Sequence, residues 1–136
     1  MEKKLLAQNW TLDPMDGFLH HVGGLWVRQT TGQDEFGFWA QDIHANRNGV
    51  VHGGMLMTFI DRAFGQVARL RAGAPRGATV NLSVNFTAPM QLGQFASLTP
   101  KVTHVTARTA FMEGTVFCDG AVIASAQGVW RLARMS

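Results

Sequence analysis

Cysteine, clustered charge and long apolar segments are all scarce in this sequence of 136 residues. The single cysteine, Cys118, excludes an internal disulfide framework and a metal site built on a cysteine cluster, and a reducing compartment is therefore expected. No basic run is longer than Lys3-Lys4, whereas nucleic-acid-binding proteins usually carry a clustered basic stripe. The net charge of +3 therefore fits a small phosphorylated ligand better than a nucleic acid.

The sequence also shows no signal peptide, membrane span, internal repeat or interdomain linker. Residues 1–15 lack the continuous apolar core of a signal peptide, and no segment approaches the length of a membrane span. These features predict a cytoplasmic protein with no membrane partner. No repeat or linker divides the chain, so one domain is predicted over residues 1–136. The low charged fraction of 15% suggests that another subunit covers some apolar surface.

One stretch combines a glycine-rich turn with a long apolar helix pattern. Apolar residues recur at the i, i+3, i+4 spacing of a buried helical face between Leu56 and Leu70. Asp61 interrupts this face, although aspartate is a mediocre helix former and is almost never fully buried without a partner. A residue that conflicts with its local pattern in this way is a signal of function.

The segments around this helix predict antiparallel strands. Residues 2–12 predict a short helix, and residues 18–30, with a bulge at Gly23-Gly24, and 35–43 predict a strand hairpin. Four more strands in hairpin order are predicted at 79–86, 95–105, 111–117 and 122–132. Strict alternation in 79–86 places Thr79 and Leu82 on opposite faces, and Pro100 predicts an edge position or a bulge. The predicted fold class is α+β, with one curved antiparallel sheet around one long helix.

An ordered set of residues from the turn, the helix and the later strands is recognisable. Its members are Asn46, Gly49, His52-Gly53-Gly54, Asp61, Gly65, Thr79–Phe86, Pro89, Asp119-Gly120 and Ala124–Trp130. This set, which spans roughly residues 44–132, resembles the hotdog-fold acyl-CoA thioesterases of the phenylacetate-pathway (PaaI-like) type. The resemblance implies the hotdog fold and hydrolysis of an aromatic or medium-chain acyl-CoA. It implies no cofactor, because coenzyme A is part of the substrate.

Thioester hydrolysis needs an activated water or a nucleophile, and donors directed at the developing oxyanion. Gly53 and Gly54 lie where the turn enters the helix, so their N–H groups lack intrahelical partners and sit at the positive helix end. This position suits a thioester oxygen. The resemblance implies that Asp61 is the general base or the nucleophile. The alternative is a structural aspartate paired with an arginine or a backbone amide.

Three further polar candidates each keep a structural alternative. The Asn46 amide hydrogen-bonds the thioester carbonyl or braces the turn. His52 is a site residue that braces the loop more often than it acts as a base in such enzymes. Thr79 matches a position where related enzymes carry a hydroxyl, and it orients the attacking water or is an ordinary strand residue.

Four candidates concern substrate binding. Met55 and Phe59 line an acyl pocket or belong to the core, and Arg76 and Arg108 contact coenzyme A phosphates or are solvated surface arginines. No metal site is predicted. The remaining histidines show no ligand-type spacing with carboxylates and are interpreted as structural: His20-His21, His44 and His104.

The spacing of the two central candidates predicts a dimer. Gly53 and Asp61 are eight helical positions apart, or about 12 Å along the axis, which is too far to act on one carbonyl carbon. A second copy with an antiparallel helix would bring them together. The resemblance implies the same homodimer with shared sites and leaves a homotetramer open. Two alternative functions remain: a non-catalytic acyl-CoA-binding hotdog module, and a hotdog dehydratase or hydratase.

Overall fold

The computed structural model of the protein describes residues 1–133, and its regular elements follow one another closely along the chain. The elements before the long helix are α1 (Glu2–Ala7), β1 (Thr11–Leu12), α2 (Gly17–Val22), β2 (Leu25–Thr30), β3 (Gln33–Trp39) and a 3-10 turn (Asp42–His44). The long helix and the elements after it are α3 (Gly53–Ala72), β4 (Arg76–Phe86), β5 (Phe95–Leu98), β6 (Lys101–Val105), β7 (Thr109–Cys118) and β8 (Ala121–Ala133).

The strands form one antiparallel sheet around α3, which confirms the predicted α+β hotdog architecture. The strand order is β1-β2-β3-β5-β7-β8-β4, and β6 pairs with β7 beside this path. The apolar face of α3 is buried in the main core through Leu56, Phe59, Ile60 and Phe64. The structure contains no helix, within residues 1–133, that is long and apolar enough to cross a membrane.

The position of β4 differs from the predicted succession of hairpins. β4 pairs with β8 from Arg76 opposite Ala133 to Phe86 opposite Ala124, whereas β5 pairs with β3 and β7. The hairpin of β7 and β8 at Asp119-Gly120 is as predicted. Turn residues determine which neighbours in the chain can pair, but they do not show that the connection after β4 crosses to another part of the sheet. One edge of β4 therefore ends the sheet.

The boundaries of four predicted elements were also wrong. The predicted strand over 18–30 begins only at Leu25, because Gly17–Val22 is helical and Gly23, at φ +65°, ends that helix instead of forming a bulge. The predicted strand over 35–43 ends at Trp39. The predicted strand over 95–105 is divided between Leu98 and Lys101, where Pro100 supplies no N–H for a ladder. The N-terminal helix stops at Ala7.

A bulge in β4 reverses the predicted direction of Thr79. Thr79 lies opposite Trp130 and Asn81 lies opposite Val129, so Val80 is an extra residue in the strand. The alternation restarts after it, and Val80 is 64% exposed. Thr79 therefore points toward α3, as Leu82 does, although strict alternation predicted opposite faces.

A buried ion pair fastens the N-terminal segment to the middle of α3. The Asp13 carboxylate, which is buried, accepts hydrogen bonds from Arg62 Nε at 3.0 Å and from Arg62 Nη2 at 3.2 Å. Arg62 Nη1 also donates to Gln66 Oε1 at 3.0 Å. This bidentate contact uses the guanidinium that follows Asp61 in the sequence.

Candidate functional site

The start of α3 leaves one backbone donor free. His52 is the N-cap, and its Nδ1 accepts the Gly54 N–H at 2.8 Å. The Gly53 N–H has no hydrogen-bond partner among residues 1–133. Gly53 therefore offers the open donor at the positive end of the helix, and Gly54 belongs to the cap.

The turn before the helix is braced by the Asn46 side chain. Asn46 Oδ1 accepts the N–H groups of Asn48 at 2.8 Å and Val50 at 3.3 Å. The Asn46 N–H donates to the Val50 carbonyl at 2.7 Å, which closes the same turn. The structure thus places Asn46 as a brace of the loop that presents Gly53.

A buried histidine, His44, supports this loop from behind. The sequence indicated a structural role for it but not these contacts. His44 Nδ1 accepts the Gln41 N–H at 2.9 Å, and its Nε2 lies 2.6 Å from the Val22 carbonyl at the end of α2. The His44 carbonyl accepts the His52 N–H at 2.8 Å. Because Nδ1 accepts, Nε2 carries the proton and donates to Val22. Such a tertiary contact leaves no spacing signal in the sequence.

Asp61 has a neutral partner instead of a cation. Thr79 Oγ1 donates to Asp61 Oδ1 at 2.5 Å, and this contact depends on the bulge in β4. Asp61 is partly exposed and makes no ion pair within the part of the chain that the structure describes. The adjacent Arg62 is occupied by Asp13. One carboxylate oxygen, Oδ1, is therefore held by the Thr79 hydroxyl, and the other, Oδ2, has no partner within residues 1–133.

A cavity of about 360 Å³ borders Gly53. Its lining comes from the start of α3 and from the chain after β4, namely Val51, Gly53, Leu56, Phe86, Thr87, Ala88, Pro89 and Met90. The two predicted pocket residues, Met55 and Phe59, are buried in the core and do not line this cavity. Leu56, one position after Met55, lines it instead.

The two predicted phosphate-binding arginines lie at the other end of β4. Arg76 opens β4, and Arg108 is exposed in the turn before β7. Arg131 joins them, because it pairs with both Ala78 and Thr109. The ten residue steps from Arg76 to Phe86 correspond to about 33 Å of strand, so one chain does not bring these arginines to the Gly53 cavity. The sequence could not identify Arg131 without the strand register.

The structure shows neither a metal-binding cluster nor an activated thiol among residues 1–133. Among residues 1–133, no group of three or more histidine, cysteine, aspartate or glutamate side chains is arranged to hold a metal ion. Burial raises the pKa of the Cys118 thiol, and the adjacent Asp119 raises it further. A buried thiol with a raised pKa is a poor nucleophile at neutral pH.

Comparison with known proteins places this geometry in a family. The thioesterase superfamily matches residues 48–124, from the turn before α3 into β8. The Pseudomonas aeruginosa protein PA0474, a candidate esterase by its name, is 29% identical over 90 residues, which cover 65% of this chain and 67% of that protein.

Two solved structures show the shared fold. A point mutant of the phenylacetic acid degradation protein PaaI from Thermus thermophilus is 21% identical, with a TM-score of 0.76, covering 87% of this chain and 100% of that chain. A hypothetical thioesterase protein from Streptococcus pneumoniae, solved with coenzyme A, is 19% identical, with a TM-score of 0.75, covering 92% of this chain and 98% of that chain. With more than half of its length matched by the family, the chain belongs to the thioesterase superfamily.

Proposed function

We propose that this protein is an acyl-CoA thioesterase that hydrolyses an aromatic or medium-chain acyl-CoA to the free acid and coenzyme A. The observation that carries the proposal is the environment of Asp61. This carboxylate is partly exposed on the helix and accepts a hydrogen bond from the Thr79 hydroxyl. It pairs with no arginine within residues 1–133. The structural alternative requires a cationic or amide partner. Arg62, the nearest candidate in sequence, pairs with Asp13.

The proposed chemistry uses the Gly53 N–H and the unpartnered oxygen of the Asp61 carboxylate. The Gly53 N–H polarises the thioester carbonyl and stabilises its developing negative charge, with the helix dipole behind it. Asp61 removes a proton from the attacking water, or attacks the carbonyl carbon itself. In the first route water forms the new carbon–oxygen bond, the carbon–sulfur bond breaks, and the coenzyme A thiolate leaves and takes up the proton from Asp61. In the second route Asp61 forms the carbon–oxygen bond, coenzyme A leaves as the thiolate, and water then hydrolyses the acyl–aspartate anhydride to the free acid. Thr79 fixes one carboxylate oxygen and so orients the other.

The two groups belong to different copies of the chain in this proposal. About 12 Å of helix separates Gly53 from Asp61, so a single chain cannot direct both at one carbonyl carbon. β4 ends the sheet, and its residues are exposed or half-buried along its whole length. A second copy that pairs antiparallel with this edge would complete the sheet and make α3 of each copy antiparallel to the other. We therefore propose a homodimer with shared sites, which a homotetramer would also contain.

The same arrangement gives the arginines a role. In antiparallel pairing of two β4 strands, the Arg76 end of one strand approaches the Phe86 end of the other, which borders the Gly53 cavity. Arg76, Arg108 and Arg131 would then contact the phosphates of coenzyme A. The coenzyme A bound to the structurally similar S. pneumoniae protein supports this ligand class. The cytoplasm is the proposed location, and no separate cofactor is proposed.

A direct test measures thiol release from a panel of aliphatic and aromatic acyl-CoAs by the purified protein and by Asp61→Asn. Asparagine keeps the size of the side chain but cannot act as a base. We expect kcat to fall by about 10²- to 10⁴-fold with unchanged folding. Equal thiol release from the two proteins across the panel would contradict the proposal. Thermal stabilisation by acyl-CoA without turnover would instead identify a binding module.

A further inference from the structure

We propose that the cavity beside Gly53 binds the acyl group, that its apolar lining selects unsubstituted hydrocarbon acyl groups over those that carry a hydroxyl or a carboxylate, and that Phe86 sets the length of the acyl group it accepts. This inference rests on the proposed function, because it takes the Gly53 N–H as the position of the thioester carbonyl oxygen. The new elements are the class of acyl group and the residue that limits its length.

The Phe86 ring lies against the backbone of Gly53. A methyl group placed on Gly53 would lie 3.3 Å from Phe86 Cζ, so the ring covers the backbone that carries the free N–H. Phe86 and the residues after it form one wall of the cavity, and Val51, Gly53 and Leu56 form the other. When the thioester carbonyl oxygen binds the Gly53 N–H, one of the two groups on the carbonyl carbon must therefore enter this cavity. That group is either the acyl chain or the sulfur with its coenzyme A arm.

The lining of the cavity is almost entirely apolar. All the lining side chains are apolar except Thr87, which donates its hydroxyl hydrogen to the Val122 carbonyl at 3.0 Å. No lining side chain carries a charge or a free hydrogen to donate. The sulfur arm of coenzyme A contains amides, which would lose hydrogen bonds to water in such a cavity without replacement. A hydrocarbon acyl chain loses none, so the cavity suits the acyl group.

Phe86 is the part of the wall that limits the size of the cavity. Leu56 and Met90 are fixed in the core, with exposures of 3% and 1%, whereas Phe86 is 49% exposed. Phe86 can therefore be replaced without leaving a void in the core. The cavity of about 360 Å³ lies near the lower end of the range of about 300–1,000 Å³ for small-molecule sites. Short and medium chains or a single unsubstituted ring fit this volume.

The selectivity test compares matched acyl-CoAs on the wild-type protein. Benzoyl-CoA is compared with 4-hydroxybenzoyl-CoA, and butanoyl-CoA with succinyl-CoA, which adds a carboxylate at the same chain length. An apolar site discriminates against an added hydroxyl by up to about 10²-fold, and we expect at least a tenfold preference in kcat/KM for the unsubstituted member of each pair. Ratios within twofold, or a preference for the substituted member, would overturn the inference while leaving thioesterase activity intact.

The role of Phe86 is tested by the ratio of kcat/KM for octanoyl-CoA to that for butanoyl-CoA. Phe86→Ala opens the wall and is expected to raise this ratio by about tenfold, and Phe86→Trp to lower it. Phe117→Ala is the matched control, since Phe117 is 46% exposed and lies outside the cavity. An unchanged ratio in both Phe86 variants, or an equal change in Phe117→Ala, would overturn the assignment.

Binding separates this inference from the proposed function. If the wild-type protein hydrolyses none of the acyl-CoAs, calorimetry compares hexanoyl-CoA with coenzyme A alone. Tighter binding of hexanoyl-CoA that is weakened in Phe86→Trp and kept in Phe117→Ala supports the acyl pocket, although the hydrolytic function has failed. Equal affinity for the two ligands would overturn the pocket as well.

Discussion

The proposed chemistry depends on two groups, the Gly53 N–H and the Asp61 carboxylate. Each is available to a substrate because the neighbouring group that could have been its partner binds elsewhere. The Gly53 N–H is open because His52 caps Gly54 instead. Asp61 is open because Arg62 turns to Asp13. Both states follow from particular neighbours, so single substitutions can test them.

Gly53 allows the donor to be removed with little effect on the helix. It is the first residue of α3, where proline is well tolerated, and His52 already has the extended backbone, at ψ 132°, that proline requires before it. Gly53→Pro removes the N–H, and kcat is expected to fall by about 10²- to 10³-fold.

Gly53→Ala is the matched control for this change. It introduces the same Cβ contact with the Phe86 ring but keeps the N–H. Steady-state kinetics of both variants, with circular dichroism to confirm the helix, provide the measurement. A loss of activity in Gly53→Ala as large as that in Gly53→Pro would show that crowding, and not the donor, is responsible.

Cys118 predicts a weakening of the protein at alkaline pH. Burial and the adjacent Asp119 raise the pKa of the thiol, so the folded state disfavours the thiolate. The stabilising contribution is complete below the ordinary thiol pKa of about 8.5 and is lost as the pH rises through the raised folded-state pKa. The chain has no tyrosine to titrate in the same range.

Urea unfolding between pH 7.5 and 10 measures this effect. The difference in the free energy of unfolding between wild type and Cys118→Ala should shrink as the pH rises. A difference that stays constant over this range would contradict the expectation. Slow alkylation of the native thiol at pH 8, compared with the unfolded chain, provides a second readout.

Among the elements, β4 contributes a local irregularity on which the site depends. Without the extra residue Val80, the side chain of Thr79 would leave the inner face of the sheet and could not reach Asp61. The orientation of the Asp61 carboxylate thus depends on the register shift at this bulge, through the Thr79 hydroxyl.

Loss of the Thr79 hydroxyl should therefore reduce catalysis more than stability. Thr79→Val keeps the shape of the side chain and removes the donor to Asp61. A hydrogen bond to a charged group contributes about 1.5–3 kcal/mol, so kcat is expected to fall by about tenfold or more with a small change in KM. Thr79→Ser keeps the hydroxyl and should restore most of the rate. Equal rates for the valine and serine variants would exclude a role for the hydroxyl.

The N-terminal segment is fastened to α3 by a pair that should be costly to break. Asp13→Ala leaves the Arg62 guanidinium without its partner at a largely buried position, and we expect a loss of about 3 kcal/mol in the free energy of unfolding. Glu113→Ala at the exposed Lys101–Glu113 pair is the control, with an expected loss below about 1 kcal/mol. Urea denaturation measures both. Similar losses for the two variants would contradict the structural importance of the buried pair.

For the whole molecule, the decisive question is whether a site contains parts of two chains. Gly53→Pro and Asp61→Asn are each expected to be inactive as homodimers. When they are mixed, half of the dimers are heterodimers, and each heterodimer contains one intact shared site. Activity should therefore recover to about a quarter of wild type.

The control for this experiment is the composition of the mixture. Differently tagged chains, refolded together and separated by affinity, confirm that heterodimers are present. Recovered activity in the purified heterodimer supports shared sites. Verified heterodimers without recovered activity would contradict them, and sedimentation showing only single chains would contradict the homodimer itself.

The sequence by itself determined the central helix and the α+β class, and it singled out Gly53 and Asp61 as candidates for the site. The apolar spacing from Leu56 to Leu70 and the Asp119-Gly120 turn are local signals, and both elements formed as predicted. Asp61 stood out because its charge conflicts with an apolar face, which is also visible locally.

Only the tertiary structure decided how these pieces meet. The pairing of β4 with β8, the bulge that turns Thr79 inward, and the contacts of His44 and Arg62 all join residues that are far apart in the chain. Such contacts depend on which surfaces remain to be buried once the local elements have formed, and no spacing within one segment encodes them. The sequence therefore reveals Asp61 as a candidate, but only the fold leaves its carboxylate without an arginine partner among the described residues.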